Sequence, residues 1–339
     1  RMSTLRSPWP RRLPAAAFQM CLRYPTRKNA GTGLIYSVYV QKNHYSYFCI
    51  PMDIQCSDKE LFLFKKIAHA AAEGSVPAYV VGGFVRDKLL GRASKDADIV
   101  CVGDGIALAQ AVANRFSPPP NVAVYKNFGT ASIKIDGFDI EFVGARKESY
   151  RYHSRNPEVA PGTMEEDQLR RDFTINALAV SLNPADYGQL IDPFNGQADL
   201  ANRLIRTPLS PDQTFSDDPL RMMRAIRFAS QLGFSIETKT WQGLCLQVER
   251  IRIISQERIT EEFNKILLSE KPSVGLDLMY RSGLMHIVFP QLVDLAGAEY
   301  VDGMGHKDNF YHTLQVVDNI APFTQDLWLR WAALLHDIG

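Results

Sequence analysis

The chain has 339 residues, 46% of them hydrophobic, and a formal net charge of +1. A chain of this length buries a sizeable core and accommodates about two or three folded units. Apolar runs such as Ala177–Leu182 are far shorter than the roughly 20 residues of a membrane-spanning helix, so no membrane partner is predicted. The five cysteines lack metal-ligand spacing, which indicates reduced thiols and a cytoplasmic location. The near-neutral net charge means that any RNA site must be a local basic surface.

The first 51 residues form a basic extension. Residues 1–51 contain eight Lys or Arg and no Asp or Glu. Two interpretations stay open: an organellar transit peptide, or non-native sequence upstream of a true start at Met52. We favour the second, and in either case we expect the extension to be disordered. Ser57 and Glu60 then form a capping box that predicts the first helix at Lys59–Glu73.

A glycine turn follows the first predicted strand. The apolar run ending at Val81 leads directly into Gly82 and Gly83, whose missing Cβ atoms let backbone N–H groups approach a phosphate closely. A helix that begins there carries Arg86 and Asp87 in its first turn. Its N-terminal dipole and the guanidinium group are therefore predicted to bind phosphate oxygens.

Two short acidic strands come next. In Asp96-x-Asp98 the period of two places both carboxylates on one face of a strand, an arrangement that suits Mg²⁺ and substrate phosphates. Alone, such a pair is more often a solvated strand feature. A third carboxylate is expected from Asp139 or Glu141 on a second alternating strand. We prefer Glu141, since Asp139 also fits an exposed strand edge.

Four motifs carry a family resemblance. They are GGFVRD at Gly82–Asp87, the Asp96/Asp98 pair, LRRDFTINALA at Leu169–Ala179 and DDPLRMMRAIRFASQLGF at Asp217–Phe234. In this order they resemble the class II tRNA nucleotidyltransferases, the CCA-adding enzymes, whose bacterial branch includes the poly(A) polymerases. The resemblance implies addition of C, C and A to tRNA from CTP and ATP. It also implies two Mg²⁺ ions held by Asp96 and Asp98, with Glu141, five residues before Arg146, as the third carboxylate.

The Arg170-Arg171-Asp172 run has a chemical reason in that setting. Adjacent guanidinium groups can grip a triphosphate, while Asp172 orients an arginine or accepts a ribose hydroxyl. Standing alone, the run would be read as a helix start with an ordinary ion pair. The polar stretch between Arg146 and Leu169 corresponds by resemblance to a flexible loop that helps the switch from C to A addition.

The segment from Asp217 to Arg221 is predicted to select the base. Asp218 suits an N-cap and Pro219 the first helical position, which puts Asp218 and Arg221 on one face. Cytosine and adenine both present an amino donor beside a ring-nitrogen acceptor, so a carboxylate beside a guanidinium pairs with either base. Uracil and guanine would leave buried polar groups unpaired. The family usually has Glu-Asp where this chain has Asp217-Asp218, and without the upstream motifs a simple capping pair is the better interpretation.

Further arginines continue the pattern. Arg224 and Arg227 extend the basic face of the same helix, and they are predicted to bind nucleotide or RNA phosphate. The segment Gln256–Ile259 resembles the next motif of the family. There, Glu257 and Arg258 are expected to support the template helix rather than to contact a ligand.

The carboxyl end resembles the start of an HD domain, a metal-dependent phosphohydrolase fold. His306 precedes His312, and the adjacent His336-Asp337 pair follows. His312, His336 and Asp337 are candidate ligands of a divalent metal. The sequence stops at Gly339, before the later helices and the final aspartate of that family pattern, so truncation is the favoured interpretation and a working phosphohydrolase centre is not expected.

The expected fold is an α/β nucleotidyltransferase head of the polymerase-beta-like type with a mixed sheet at 52–182. An all-helical neck and body at 183–300 would carry the nucleotide template and bind tRNA, and a partial α-helical HD domain would occupy 301–339. Three alternatives stay open: a poly(A) polymerase, an enzyme adding only CC or only A, and an inactive RNA-binding or HD-type nucleotide-sensing protein. The lack of a GRRFRL-like run after Phe142 argues against the first, and the intact Asp96 and Asp98 argue against the last.

Overall fold

The computed structural model describes residues 52–149, 158–297 and 308–338, and the backbone of 300–301 and 304–305. The basic extension at 1–51, His306 and residues 150–157 of the polar stretch lie outside the described residues.

The head contains α1 (Asp58–Glu73), β1 (Ala78–Val81), α2 (Gly83–Leu89), β2 (Asp96–Cys101), α3 (Gly105–Ala113), β3 (Val122–Tyr125), β4 (Thr130–Ile135), β5 (Phe138–Gly144), β6 (Arg146–Ser149), β7 (Glu158–Pro161), α4 (Met164–Leu169), β8 (Ala179–Ser181) and β9 (Leu190–Ile191).

Helix α1 begins with the predicted capping box. The Glu60 N–H donates to Ser57 Oγ at 3.4 Å, and the Ser57 N–H donates to Glu60 Oε2 at 2.7 Å. The helix starts at Asp58, one residue before the predicted bound. Its apolar face, which includes Phe64 and Ile67, is buried in the core because these residues recur at helical spacing.

The head sheet has seven strands in the order β3-β4-β5-β2-β1-β8-β9. Strands β2 and β5 are parallel, and the other neighbours pair antiparallel. The predicted mixed sheet is therefore confirmed. The parallel register sets Asp96 opposite Asp139 and Asp98 opposite Glu141, so the acidic positions of both strands share a face.

Two features of the head differ from the expected layout. Strand β9 at Leu190–Ile191 pairs with β8, so the sheet continues past the predicted bound at 182. The antiparallel strands β6 and β7 occupy part of the stretch expected to be a loop. Backbone pairing between the two strands gives these polar residues a structure that their composition does not signal.

The remaining elements are α5 (Gly196–Ala201), β10 (Leu204–Ile205), α6 (Pro211–Asp217), α7 (Leu220–Leu232), β11 (Ser235–Ile236), α8 (Thr238–Gln247), α9 (Gln256–Leu267), α10 (Pro272–Ser282), α11 (Leu284–Val288), α12 (Pro290–Val293), β12 (Tyr300–Val301), β13 (Met304–Gly305), α13 (Asn309–Ile320) and α14 (Leu327–Leu335). Helix α7 packs against α9 and α10. The predicted all-helical body is helical apart from short strand pairs, among them the parallel pair β10–β11.

The last two helices pack onto this body. Helix α13 contacts α10, and α14 contacts α9. The fully buried Arg330 on α14 donates from Nη1 to the carbonyl oxygens of Leu267 and Ser269, both at 2.6 Å. It thereby satisfies carbonyl groups at the end of α9 that lack a helical partner. Within the part of the chain that the structure describes, every helix is too short or too polar to cross a membrane.

Candidate active site

The turn between β1 and α2 forms one wall of the site. Gly82 has φ 70° and ψ −129°, a conformation essentially reserved for glycine. A Cβ atom there would lie 3.0 Å from Arg171 Nη1 and 3.8 Å from Asp98 Oδ2. The missing side chain thus leaves room between a guanidinium and a carboxylate.

Replacing Gly82 with alanine is expected to lower the free energy of unfolding by about 1–3 kcal/mol, because the backbone conformation is strained for any residue with a Cβ. Arg171 would also be displaced. Gly83→Ala is the matched control, since its Cβ would meet Arg86 Nη2 at an ordinary 3.7 Å. Urea unfolding measures both, and equal destabilisation of the two variants would contradict this account.

The carboxylates of β2 and β5 do not have equivalent surroundings. Asp98 faces a large cleft, whereas Asp139 forms an exposed ion pair with Lys134 at 3.3 Å. Partial exclusion of water raises the pKa of Asp98 to about 6; Arg171 opposes the rise, and Glu141 and Asp96 add to it. The cross-strand register therefore favours Glu141 over Asp139 as the neighbour of Asp98.

The donor chemistry of this face fits magnesium. Carboxylate oxygens from adjacent strands are hard ligands, and Mg²⁺ is usually held by one or two of them plus substrate phosphates. Among the described residues, Asp96, Asp98 and Glu141 do not all bring a ligand oxygen within 4.8 Å of the others. The three carboxylates are therefore not assembled into a ligand cluster by the protein alone.

The cleft has a volume of about 1050 Å³. Eight arginines line it against four carboxylates, which makes it attractive to a polyanion. The predicted site residues that line it are Gly82, Gly83, Arg86, Asp98, Arg170, Arg171, Asp172, Asp218, Arg221, Arg224 and Arg227. The predicted residues Asp87, Asp96 and Glu141 lie outside this lining.

Arg170 and Arg171 share one buried anchor. Asp167, with no exposed surface, pairs through Oδ1 with Arg170 Nη2 at 2.6 Å and through Oδ2 with Arg171 Nη2 at 2.9 Å. Arg170 also contacts Glu148 at 3.3 Å. A carboxylate that divides its oxygens between two guanidinium groups fixes both. Both groups line the cleft, and each of their nitrogens already donates to a protein oxygen.

Asp172 lies at the centre of a second network. Its Oδ1 accepts from the Phe173 N–H at 2.8 Å and from Asn176 Nδ2 at 2.9 Å. Its Oδ2 accepts from Arg224 Nε at 2.7 Å and pairs with Arg224 Nη2 at 2.6 Å. Of the two predicted roles, orienting an arginine therefore matches the geometry, since protein donors already occupy both oxygens.

Arg86 is more committed to the protein than the sequence suggests. Asp87 binds its Nε at 2.8 Å and its Nη2 at 3.0 Å, and Asn176 Oδ1 accepts from Nη1 at 2.7 Å. Asp87 thus orients Arg86 from behind. The guanidinium lines the cleft, but every one of its nitrogens already donates to a protein oxygen.

The joint between α6 and α7 holds the predicted base-selecting pair. Asp218 follows the last residue of α6, and its Oδ1 accepts from the Leu220 N–H at 3.1 Å. The predicted N-cap role of Asp218 is wrong: Asp218 is the C-cap of α6, where its N–H donates to the Thr214 carbonyl oxygen, and Pro219 is the N-cap of α7, which begins at Leu220. Arg221 donates from Nη2 to the Arg170 carbonyl oxygen, which couples α7 to the arginine pair.

A buried aromatic ring underlies the arginine cluster. The guanidinium carbons of Arg86, Arg224 and Arg227 lie 5.1, 5.4 and 4.2 Å from the centre of the Phe228 ring. Arg227 also pairs with Glu262 of α9 at 2.9 Å. Burial lowers the pKa of Arg227 to about 10, against the opposing effect of Glu262, so the group stays protonated at neutral pH.

Comparison with known proteins agrees with this arrangement. Residues 78–206 match the model of the poly A polymerase head domain. Residues 233–295 match the model described as the probable RNA and SrmB-binding site of polymerase A. A solved tRNA nucleotidyltransferase in complex with a primer tRNA and an incoming ATP analogue is 31% identical, with a TM-score of 0.63 over 80% of this chain and 75% of that one. The chain belongs to the class II tRNA nucleotidyltransferase and poly(A) polymerase family.

Curated relatives in the tRNA nucleotidyltransferase family are longer. The A-adding tRNA nucleotidyltransferase of Halalkalibacterium halodurans is 33% identical over 82% of this chain and 65% of the relative. The mitochondrial CCA tRNA nucleotidyltransferase of Saccharomyces cerevisiae is 38% identical over 62% of this chain and 42% of the relative. Over eight such relatives, the matched region spans 24–65% of their length.

Sequence reasoning missed several residues of the nucleotidyltransferase cleft. Arg258 lines it, although it was expected to support the template helix from a distance. The other unpredicted lining residues are Asn127, Phe128, Arg146, Glu148, Val159, Asn176, Phe228 and Gln231. The acidic run before the Arg170–Arg171 pair was an available signal for the Asp167 anchor, whereas the lining residues from distant segments had none.

The carboxyl end brings the predicted HD ligands together. His312 on α13 lies beside His336 and Asp337, which follow α14, and one ligand atom of each lies within 4.8 Å of the others. His336 Nε2 is 3.2 Å from Asp337 Oδ2. Two imidazoles and a carboxylate make a suitable set for a transition metal or zinc.

Proposed function

We propose that this protein adds C, C and A to the 3′ end of tRNA, using CTP and ATP and no nucleic-acid template. The observation that carries the proposal is that Asp98, the paired Arg170 and Arg171, and the Asp218/Arg221 pair line a single cleft. Each has its own part: a metal-binding carboxylate, triphosphate-binding guanidinium groups and a base-reading pair.

The nucleotide would be held by groups that are already oriented. Arg170 and Arg171, fixed by Asp167, are placed to bind the triphosphate, and Gly82 lets it approach the backbone. Asp96 and Asp98, with Glu141, would hold Mg²⁺, which when bound activates the attacking 3′-hydroxyl and stabilises the leaving pyrophosphate. Prior orientation of the arginines lowers the cost of binding the charged phosphates.

Base selection would rest on the free edges of two fixed groups. Asp218 uses Oδ1 on the Leu220 N–H and keeps Oδ2 as an acceptor. Arg221 uses one N–H on the Arg170 carbonyl oxygen and keeps further donors. An acceptor beside a donor matches cytosine and adenine but places like groups against uracil and guanine, which is a strong basis for rejection.

Incorporation of labelled nucleotides tests the proposal. A tRNA that ends before CCA, a tRNA that ends in CC and an unstructured RNA are each given labelled CTP, ATP, UTP or GTP with Mg²⁺. Two C and one A on the first RNA and one A on the second are expected. Long A tails on every RNA would instead identify a poly(A) polymerase, and no incorporation would leave an inactive RNA-binding or nucleotide-sensing protein.

An enzyme that adds only A is the second candidate. Its support is that the A-adding tRNA nucleotidyltransferases of Aquifex aeolicus, Halalkalibacterium halodurans and Geobacter sulfurreducens are 41, 33 and 36% identical to this chain. Incorporation of A on the tRNA that ends in CC, without C on the shorter tRNA, would select this candidate.

The cytoplasmic location indicated by the cysteines stays a prediction.

We further propose a divalent metal site at His312, His336 and Asp337. Nickel, which favours imidazole ligands, is expected to quench tryptophan fluorescence because Trp331 lies on the same helix that leads to His336. His312→Ala should weaken nickel binding at least about tenfold, since loss of an outer-shell partner alone typically costs a metal site that much affinity and His312 would be a direct ligand. His286→Ala, outside this set, is the control, and unchanged binding by the His312 variant would overturn the site.

A further inference from the structure

The hairpin tip between β3 and β4 carries an exposed aromatic ring into the cleft. Residues Lys126–Phe128 form a single turn of 3₁₀ helix, closed by Gly129 at φ 63°. Phe128 is 72% exposed. Together with Asn127 it lines the same cleft as Asp98.

The strands behind this tip hold it in place. Tyr125 pairs with Thr130 across the hairpin, and β4 continues beside β5, where Ser132 lies opposite Glu141. The ring is therefore carried by the strand pair that neighbours the carboxylate face. It stands on a short, hydrogen-bonded turn, so its position over the cleft is set by the sheet.

The chemistry of the tip suits a nucleobase. An exposed aromatic face in a basic groove stacks bases of any sequence, because every base has a π-face. Asn127 adds an amide that can donate and accept, and the exposed Lys126 adds a cation. We propose that Phe128 is the stacking platform for the 3′-terminal base of the RNA acceptor, an inference that rests on the proposed function.

The acceptor base is the better occupant than the base of the incoming nucleotide. The incoming base has its own hydrogen-bonding pair at Asp218 and Arg221, whereas the attacking 3′-hydroxyl still needs its nucleoside held near Asp98. The terminal base of the acceptor also changes with each addition. A platform that stacks without reading the base edge accepts every one of these ends.

Steady-state kinetics with varied tRNA and varied nucleotide distinguish the two occupants. Phe128→Ala is expected to raise the KM for tRNA about 5- to 150-fold, the range expected for loss of one base–aromatic stack, with the KM for CTP and ATP unchanged. Phe128→Trp should restore the KM for tRNA. Phe323→Ala, at a phenylalanine that is 88% exposed outside the cleft, is the matched control and should leave both values unchanged.

A binding measurement separates this proposal from the proposed function. An acceptor tRNA that ends in 2-aminopurine should lose fluorescence when it binds the wild-type protein and keep it when it binds Phe128→Ala. Quenching without nucleotide incorporation would contradict the proposed function but support Phe128 as the stacking platform. Normal incorporation with an unchanged KM for tRNA and unchanged quenching in Phe128→Ala would sink the platform alone, and a raised KM for nucleotide only would assign the ring to the incoming base.

Discussion

Replacing Asp98 with alanine is expected to lower nucleotide incorporation by on the order of a thousandfold, since the Mg²⁺ that its carboxylate would hold contributes several kcal/mol to transition-state stabilisation. Asp98 is the β2 carboxylate that lines the cleft. The loss should appear in kcat more than in the KM for tRNA, because the arginines that attract RNA are untouched. Single-turnover incorporation of labelled CTP or ATP measures it.

Asp139→Asn is the matched control for this variant. Asp139 lies on the same face of the sheet, opposite Asp96, but its Oδ2 forms an ion pair with Lys134 Nζ at 3.3 Å. It should retain activity within about threefold, as expected for an exposed ion pair that contributes little. Glu141→Gln should fall between the two. An Asp139 variant as impaired as the Asp98 variant would mean that the third carboxylate has been assigned to the wrong residue.

Protons and metal ions are expected to compete for the Asp98 carboxylate. The pKa of Asp98 is raised to about 6, first by exclusion of water and then by Glu141 and Asp96, against the opposing Arg171. Above that pH the carboxylate is free to bind a cation; below it, the metal must displace a proton. The apparent affinity for Mn²⁺ is therefore expected to fall by up to tenfold per pH unit below about pH 6, and Asp98→Ala should lack this dependence.

The sequence predicted the local structure of the head well where short-range chemistry decides it. The capping box at Ser57 and Glu60 begins α1, and the glycine turn at Gly82 follows a strand as expected. Period-two alternation correctly put Asp96 and Asp98 on one face. These features depend on residues within a few positions of each other, so one sequence is sufficient to recognise them.

Contacts between residues far apart in the chain could not be predicted from the sequence. Nothing in the pattern indicates that Arg224 is the arginine that pairs with Asp172, or that Asn176 orients Arg86. The same holds for β9, which extends the head sheet past residue 182. Tertiary packing selects these partners among many equivalent polar residues, and a single sequence does not carry that choice.

Replacing Asp172 with alanine is expected to give the largest loss of stability among these variants, about 2–4 kcal/mol. Breaking a fully buried ion pair costs roughly 3–5 kcal/mol, and the value here is lower because Arg224 is 34% exposed and water can reach it. The variant also leaves the Phe173 N–H and the Asn176 amide without their acceptor. Urea unfolding followed by circular dichroism measures the change.

Glu249→Ala is the matched control, because Glu249 pairs with Arg252 at a similar 2.7 Å but both side chains are more than 60% exposed. Its loss should stay below about 0.5 kcal/mol. In the double variant Asp172→Ala/Arg224→Ala, the loss should be smaller than the sum of the two single losses, since no unpaired charge remains. Equal losses for the Asp172 and Glu249 variants would show that burial does not govern these pairs.

The Asp172 contribution should also depend on pH. Burial alone would raise the pKa of Asp172, but Arg224, Asn176 and Arg221 outweigh it and lower the pKa from 3.8 to about 2. The unfolded chain therefore takes up the proton first as pH falls. The stability difference between wild type and Asp172→Ala should be constant above about pH 5 and shrink between about pH 4 and pH 2. If the stability difference instead grew on acidification, Asp172 would be protonated in the folded protein. The ion pair between Asp172 and Arg224 would then not connect the head to α7.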